Sequence, residues 1–395
     1  MKPLISATEA SNIIAESLVQ LPTETISLDS AIGRVLASDI CADRDAPPFD
    51  RVMMDGIAIS MYNHKLGSWR YQIIGTQAAG TKQLVLQKGE YAIEVMTGAP
   101  LPVDADAVIP VEKYDLQENY ALPHEGIEVE DFQHIHKQGS DSKAGDTLIS
   151  AGTKLGANEL AIAASVGATE LEVYRLPRIH LITTGDEVIA PDETPSDYQI
   201  RQSHPTAIIS LINTHQLGSI THQHLKDDPE AIEAALKEAL NLSNNDILIL
   251  TGGISMGKFD WVAPLLEKLL GEPAFHGVAQ RPGKPFAHWN HADSPRVFAL
   301  PGNPVSVMAT MYHYVLPSLR TMLGQQKQTQ HLPLAEDFNW DLPLTGILPY
   351  KIQDGKITIH PPRNSGDYIS LHGTDGFTCI PPNTNLSAGE TLPLL

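Results

Sequence analysis

The spacing of apolar positions changes character along the chain. Near the start, Ala10, Ile13, Ile14, Ser17 and Leu18 recur three and four residues apart, which predicts a helix that Ser6 or Thr8 can cap. A Pro-rich connection follows, ending at Ala46-Pro47-Pro48-Phe49-Asp50. From about residue 56 to 138 the apolar residues come in short runs: Ile57–Ile59, Tyr71–Ile74, Tyr91–Met96, Ala107–Val111, Ile127–Val129 and His134–His136. Gly, Pro, Asp and Asn punctuate them, which predicts an all-β module.

Residues 178–325 alternate between strand-like and helix-like patterns. Arg178–Thr183, Ser219–Leu225, Asp246–Leu250 and Val297–Leu300 read as strands. Between them, Ile208, Leu211 and Ile212 mark one helix face, and Ile232, Ala235, Leu236, Ala239 and Leu240 mark another, opened by Asp228 as N-cap and Pro229 at the first helical position. Val305, Met308, Tyr312, Val315, Leu319 and Met322 form the stripe of a last long helix. This alternation predicts a three-layer, mostly parallel α/β domain. Beyond residue 330 the chain is Pro-rich, with β runs at Ile347–Ile352, Ile357–Ile359 and Phe377–Ile380, and a small C-terminal β domain is expected. The fold class is therefore multidomain, α/β plus β, and 395 residues leave room for roughly two to four domains.

Charge narrows the choice of partners. Lys and Arg number 27 against 47 Asp and Glu, a net charge of −20. That excess opposes nucleic acid binding and electrostatic docking to an anionic membrane. It leaves room for a small anion in a locally positive pocket. Two cysteines, Cys41 and Cys379, make no disulfide framework and no C-x-x-C motif. The N-terminus has no uninterrupted apolar run and no run approaches the ~18 residues of a membrane span, so a cytoplasmic protein is expected. His134 with His136, and His222 with His224, alternate along strand-like runs, but no third ligand at zinc spacing joins either pair.

In an open parallel sheet, ligands bind beyond the carboxyl ends of the strands. The segments there are Thr184-Gly185-Asp186-Glu187, then Asp227 and Asp228, then Thr251-Gly252-Gly253-Ile254-Ser255-Met256-Gly257 with Asp260, and finally Pro301-Gly302-Asn303-Pro304-Val305-Ser306. Glycines let backbone N–H groups approach an oxyanion, Ser255 adds a hydroxyl, and a helix start presents a positive end. At 301–306 a capped helix, with Asn303 as N-cap, accounts for Asn303 and Pro304 without any ligand. Gln280-Arg281-Pro282-Gly283-Lys284-Pro285 offers two cations around a turn. Glu187, Asp227, Asp228 and Asp260 could share a Mg²⁺ ion with substrate phosphates.

Taken together and in order, these segments resemble the molybdopterin molybdenumtransferase family, which includes the bacterial MoeA proteins and the E domain of gephyrin. Further matching stretches are Pro47-Pro48-Phe49-Asp50, Met54-Asp55-Gly56, Met96-Thr97-Gly98-Ala99-Pro100-Leu101-Pro102, Ala105-Asp106-Ala107-Val108, Gly139-Ser140-Asp141, Asp227-Asp228-Pro229 and Pro282-Gly283-Lys284-Pro285. The resemblance implies an N-terminal helix with linker and dimerisation segments (1–50 and 139–177), an inserted β domain (51–138), an α/β domain of the molybdopterin-binding type (178–327) and a C-terminal β domain (328–395). It implies an elongated homodimer with its active site in a cleft between subunits. The implied reaction inserts molybdate into adenylylated molybdopterin with release of AMP, assisted by Mg²⁺ or a similar divalent ion. By position, Asp55, Asp141, Glu187, Asp228 and Asp260 fall on catalytic acids, with Asp55, Glu187 and Asp260 as metal ligands. Thr97, Gly98, Asp227, Gly252, Gly253, Ser255, Arg281, Lys284, Pro301, Gly302, Asn303, Pro304 and Ser306 fall on substrate-binding positions.

Several neighbours of these residues depart from the family pattern. Arg51-Val52-Met53-Met54 stands where the family usually has Asn-Ser-Ala-Met, and Gln202-Ser203-His204 stands where it has Asp-Ser/Thr-Asn. Arg281 replaces the first lysine of Lys-Pro-Gly-Lys, Gly139-Ser140-Asp141 replaces Gly-Glu-Asp, and Asn364-Ser365-Gly366-Asp367 replaces a Gln-Gly-Ser-like run. These changes leave open a catalytically altered paralogue acting as a pterin-binding or scaffold protein. Residues 178–325 alone also resemble molybdopterin adenylyltransferases, a reading the β module and C-terminal segment oppose.

Overall fold

The computed structural model describes residues 3–241, 243–254, 260–325 and 329–395. They group into two compact units, one of residues 39–150 and 158–169 and one of residues 1–38, 151–157 and 170–395.

In the first unit, the two-residue strand β1 (Arg51–Val52) leads into β2 (Gly56–Ile59), β3 (Tyr71–Gln77), β4 (Tyr91–Val95), β5 (Ala107–Pro110), β6 (Tyr114–Gln117) and β7 (Tyr120–Pro123), and β8 (Ile135–His136) returns to pair with β1. The six strands β2 to β7 form one sheet in the order β5-β2-β4-β3-β7-β6. Every residue of β2 is buried because the sheet has a core on each face. Ile57 and Ile59 pack with Ile109, Ala92 and Met61, while Ala58 packs with Val108, Ile93 and Val95. That is the period-two alternation of a strand covered on both sides. Two expectations change here. Ile127–Val129 forms no strand; the segment is irregular, and Ile127 and Val129 lie partly buried against the core. The module is also not wholly β, since Met61–Lys65 makes a short helix that anchors Met61.

The second unit is built on a sheet of β9 (Arg178–Thr184), β10 (Ser219–Leu225), β11 (Ile247–Thr251), β12 (Phe275–His276), β13 (Ala287–Trp289) and β14 (Arg296–Leu300). Their order is β10-β9-β11-β14-β13-β12. The first four are parallel, and β13 is reversed and pairs antiparallel with β14 and with β12, so the sheet is mostly parallel with antiparallel pairing at one edge. Helices α1 (His204–His215), α2 (Pro229–Ala239), α3 (Val262–Leu270) and α4 (Pro304–Thr310) connect or cover the strands. The apolar run of β11 explains the layering. Ile247 and Ile249 face Ile208, Leu211 and Ile212 of α1 and Val305 and Val307 of α4, together with Ala10 and Ile14 of the N-terminal helix. Leu248 and Leu250 face Ile232, Leu236, Val262 and Leu266 of α2 and α3. Truncating a fully buried Leu248 to Ala should cost about 2–5 kcal/mol.

The last helical stripe is not one uniform α-helix. After α4 the chain makes a π-helical turn, Met311–Val315, before α5 (Leu316–Met322). Pro317 explains the interruption: it has no N–H to offer the carbonyl one turn back. The C-terminal strands β15 (Thr345–Gln353), β16 (Lys356–Ile359) and β17 (Gly376–Ile380) form an antiparallel sheet, and Gln280–Arg281 adds to β15 in parallel. This pairing ties the C-terminal β segment to the Arg281–Lys284 turn.

Candidate active site

The carboxyl ends of β9, β11 and β14 bring three loops together. Thr184 ends β9, and a Cβ on Gly252 would sit 2.9 Å from its carbonyl oxygen and 2.9 Å from its hydroxyl. Gly252 also has φ +93°, a region that L side chains rarely adopt. Gly302, beyond β14, lies 3.9 Å from the Gly252 Cα when measured from the Cβ position it lacks. Gly252 thus lets the ends of β9 and β11 approach closely, with Gly302 of the β14 loop at ordinary contact distance. The Thr184 hydroxyl is buried there with no hydrogen-bond partner among the described residues. Ser255 and the rest of residues 255–259 lie outside the described residues.

Acids collect at the same end. Asp186 and Asp227 exchange backbone donors: the Asp186 N–H reaches Asp227 Oδ2 at 3.3 Å, and the Asp227 N–H reaches Asp186 Oδ1 at 3.2 Å. Burial raises the Asp227 carboxyl above its ordinary range, and the charges of Asp186, Glu187 and Asp260 push the same way against the Asp186 N–H donation. The charges of these three carboxylates therefore all reach Asp227. Asp228 stands next to them as the N-cap of α2, its Oδ1 accepting from the Glu230 N–H at 3.0 Å. In sequence Asp186 stands within the Thr184–Glu187 segment but outside the candidate acids, because its link to Asp227 arises only when the β9 and β10 loops meet.

The cations sit on a turn held from beneath. Arg281 and Lys284 are exposed, while Pro282 and Gly283 between them are buried. Gln280, itself buried, donates from Nε2 to the Gly283 carbonyl at 3.1 Å and accepts from the Tyr314 hydroxyl. Gly283 has φ +94°, and a Cβ there would meet the Gln280 amide at 2.7 Å. The C-terminal segment forms the opposite lip of a cleft of about 690 Å³ that includes Arg281, Lys284, Asn303, Ser306, Trp340 and Ser365. Here the capping expectation for Asn303 changes: its backbone occupies the N-cap of α4, but its side chain makes no cap bond. Its amide donates instead to Ser365 Oγ at 2.9 Å, and the Ser365 carbonyl accepts from the Val305 N–H at 3.0 Å. Ser365 was not singled out in sequence because its partners lie some sixty positions away.

The other unit holds the remaining candidates. Asp55 follows β1, and its Oδ1 accepts from the Thr97 N–H at 2.6 Å and the Thr97 hydroxyl at 2.7 Å. The bond from the Thr97 backbone, then that from its hydroxyl, lowers the Asp55 carboxyl below its usual range and keeps it ionised. Gly98 takes φ +84° and donates to the Val52 carbonyl at 2.9 Å. Asp141 accepts from His136 Nε2 at 2.7 Å.

The histidine pairs have separate roles. His134 has φ +55° just before β8, whereas His136 lies in the strand, so strand alternation does not relate the two. His222 Nε2 and His224 Nδ1 each lie 3.0 Å from the Thr183 hydroxyl. No group of three or more His, Cys, Asp or Glu among the described residues forms a ready-made metal cage.

Comparison with known proteins decides the family. Residues 5–167 match the MoeA N-terminal region (domain I and II), and residues 180–321 match a probable molybdopterin binding domain. A molybdopterin molybdenumtransferase from Synechocystis sp. is 34% identical over 397 residues, covering 99% of each chain. The chain belongs to the molybdopterin molybdenumtransferase family. A relative of the same name from Staphylococcus epidermidis is 29% identical, covering 99% of this chain and 95% of its own. The crystal structure of the molybdopterin biosynthesis moeA protein from Pyrococcus horikoshii OT3 superposes with a TM-score of 0.83 at 26% identity over the full length of both chains.

Within this family the divergent positions acquire a structural setting. His204, where Asn is usual, lies at the start of α1 with Nδ1 3.2 Å from the Thr251 hydroxyl at the end of β11. Burial lowers its pKa, which favours a neutral imidazole. Arg51, also where Asn is usual, lies opposite His136 in the β1–β8 pair. No helix among the described residues is long and apolar enough to cross a membrane.

Proposed function

We propose that this chain performs molybdenum insertion in molybdenum cofactor synthesis: it hydrolyses the adenylyl link of adenylylated molybdopterin, releases AMP and joins molybdate to the dithiolene. The observation that carries this reading is the convergence, at one end of a molybdopterin-binding-type sheet, of glycine-lined strand ends, clustered carboxylates and the Arg281–Lys284 cleft. Molybdate is an oxyanion, so Arg281, Lys284, Asn303 and Ser306 are suited to hold it as substrate, with Pro301, Gly302 and Pro304 shaping the turn. Gly252 and Gly253 allow the backbone to approach the pterin-linked phosphates closely. Ser255 is assigned to the same loop by family pattern.

The carboxylate cluster suits a magnesium-type ion. Mg²⁺ needs only a few carboxylates and completes its shell with water and substrate oxygens, so a prebuilt cage is not required. The like charges crowding Asp227 are the kind of excess a divalent ion offsets. By family pattern, Glu187, Asp260 and Asp55 are its proposed ligands. When bound, it would offset the charge of the phosphoanhydride. Asp141 and Asp228 are proposed as further catalytic acids, and Thr97, Gly98 and Asp227 as substrate-binding positions. Cleavage of such a link depends mainly on positioning and electrostatics, so no protein nucleophile is needed. A cytoplasmic homodimer and the four-part division at residues 50, 138, 177 and 327 complete the proposal.

The test is direct. Purified chain with adenylylated molybdopterin, molybdate and Mg²⁺ should release AMP and yield active cofactor. Tight pterin binding without AMP under any divalent ion would instead identify a binding scaffold.

A further inference from the structure

Asp141 is held by a chain of two side chains that the reaction scheme does not use. The β1–β8 ladder pairs His136 with Arg51. Arg51 Nη2 lies 3.1 Å from His136 Nδ1, and His136 Nε2 lies 2.7 Å from Asp141 Oδ1. A guanidinium has donors and no acceptor, so Nδ1 of His136 must accept. A neutral imidazole carries one N–H, which then resides on Nε2 and points at the carboxylate. Arg51 thus sets the tautomer, and the tautomer sets the direction of the bond to Asp141.

The backbone makes the arrangement stiff on both sides. The Asp141 N–H donates to the Ala46 carbonyl at 2.9 Å, and the Gly139 N–H to the Pro47 carbonyl at 2.9 Å. The Gln138 N–H donates to Asp50 Oδ1 at 2.8 Å, so the turn carrying Asp141 is tied to the segment that runs into Arg51. From that segment the Val52 carbonyl accepts from Gly98, next to Thr97, which holds Asp55.

We propose that Arg51 and His136 are positioning residues that orient the Asp141 carboxylate for the reaction, His136 through its Nε2–H and Arg51 by fixing the His136 tautomer. The chemistry gives the departure from Asn at position 51 a role. A side-chain amide can present either a donor or an acceptor, whereas arginine can present only a donor, so the relay has one direction. The proposal rests on the reading of Asp141 as a functional acid.

The experiment combines a tautomer measurement with kinetics on the full chain. In protein labelled with ¹⁵N-histidine, the His136 signals, assigned by their loss in His136→Phe, should show an unprotonated Nδ1 and a protonated Nε2 at neutral pH. Arg51→Met should yield a mixture of tautomers. His136→Phe should lower kcat about ten- to hundredfold with little change in KM. His136→Gln should recover much of that loss, because its amide can accept from Arg51 and donate to Asp141. Asp141→Asn is the companion variant. If it is inactive while His136→Phe turns over like wild type, the positioning role is wrong and the role of Asp141 stands. If Asp141→Asn is fully active, both fall. A proton on Nδ1 of His136 in the wild-type protein overturns the relay whatever the kinetics show.

Discussion

The two ends of the parallel sheet handle carboxylates in opposite ways. At the amino end, Asp246 precedes β11 and accepts from Arg175 Nη1 at 2.9 Å and Nη2 at 3.0 Å, and from Arg178 N–H at 2.8 Å and Nε at 3.2 Å. Burial works to raise its pKa, but the bonds from Arg175 and Arg178 outweigh burial and hold it at about 2. At the carboxyl end, Asp227 is half-buried, and its desolvation together with the charges of Asp186, Glu187 and Asp260 shifts it upward. One end matches each charge with donors and gains stability. The other gathers like charges around Asp227 and shifts its carboxyl upward, and such sites are where function concentrates.

Substitutions can break or sharpen that contrast. The largest effect is expected at the carboxyl end: Asp260→Asn should cut AMP release about a hundredfold or more, in keeping with loss of transition-state electrostatics. Asp246→Asn, assayed per folded molecule, should leave turnover close to wild type. Gly252→Ala should damage both properties. Its φ of +93° and the Thr184 carbonyl 2.9 Å from the new Cβ should cost about 1–3 kcal/mol in urea unfolding and weaken substrate binding.

Next in size is the stability effect at the amino end. Asp246 has a folded pKa of about 2 against an ordinary 3.8, so its contribution is present above 3.8 and is lost as pH falls toward 2. Asp246→Asn should therefore cost about 2 kcal/mol at pH 7, with the gap to wild type closing on acidification in the same urea series. The smallest effect is at Asp227. Asp227→Asn removes one crowded charge and should raise stability at pH 7, by no more than about 1 kcal/mol. A loss instead would mean that the cluster is already compensated.

The sheet itself was legible because its central strands β11 and β14 are buried on both faces and its helices carry clear stripes. Ile247–Leu250 reads as continuous apolar sequence, and the faces of α1 and α2 follow the three-and-four spacing. The antiparallel edge was not legible: β13 is three residues, Ala287–Trp289, directly behind the Arg281–Lys284 turn, too short for a periodic signal. Ile127–Val129 shows the reverse, an alternating run that packs without strand pairing. In the site, the glycines and acids at strand ends were visible because each sits at a fixed place after an apolar run. The Asn303–Ser365 and Asp186–Asp227 links were not, because they join segments distant in sequence. His134 and His136 misled for a local reason: a left-handed residue before a two-residue strand cancels the alternation that their spacing promised.

The most direct test of the contrast is AMP release by Glu187→Gln with saturating Mg²⁺ and molybdate, measured on protein whose melting temperature matches wild type. Glu187 is exposed, so the substitution should leave folding intact. The account predicts that release falls by about a hundredfold or more. Release at the wild-type rate would contradict it, because the carboxylates gathered at that end of the sheet would then have no part in the reaction.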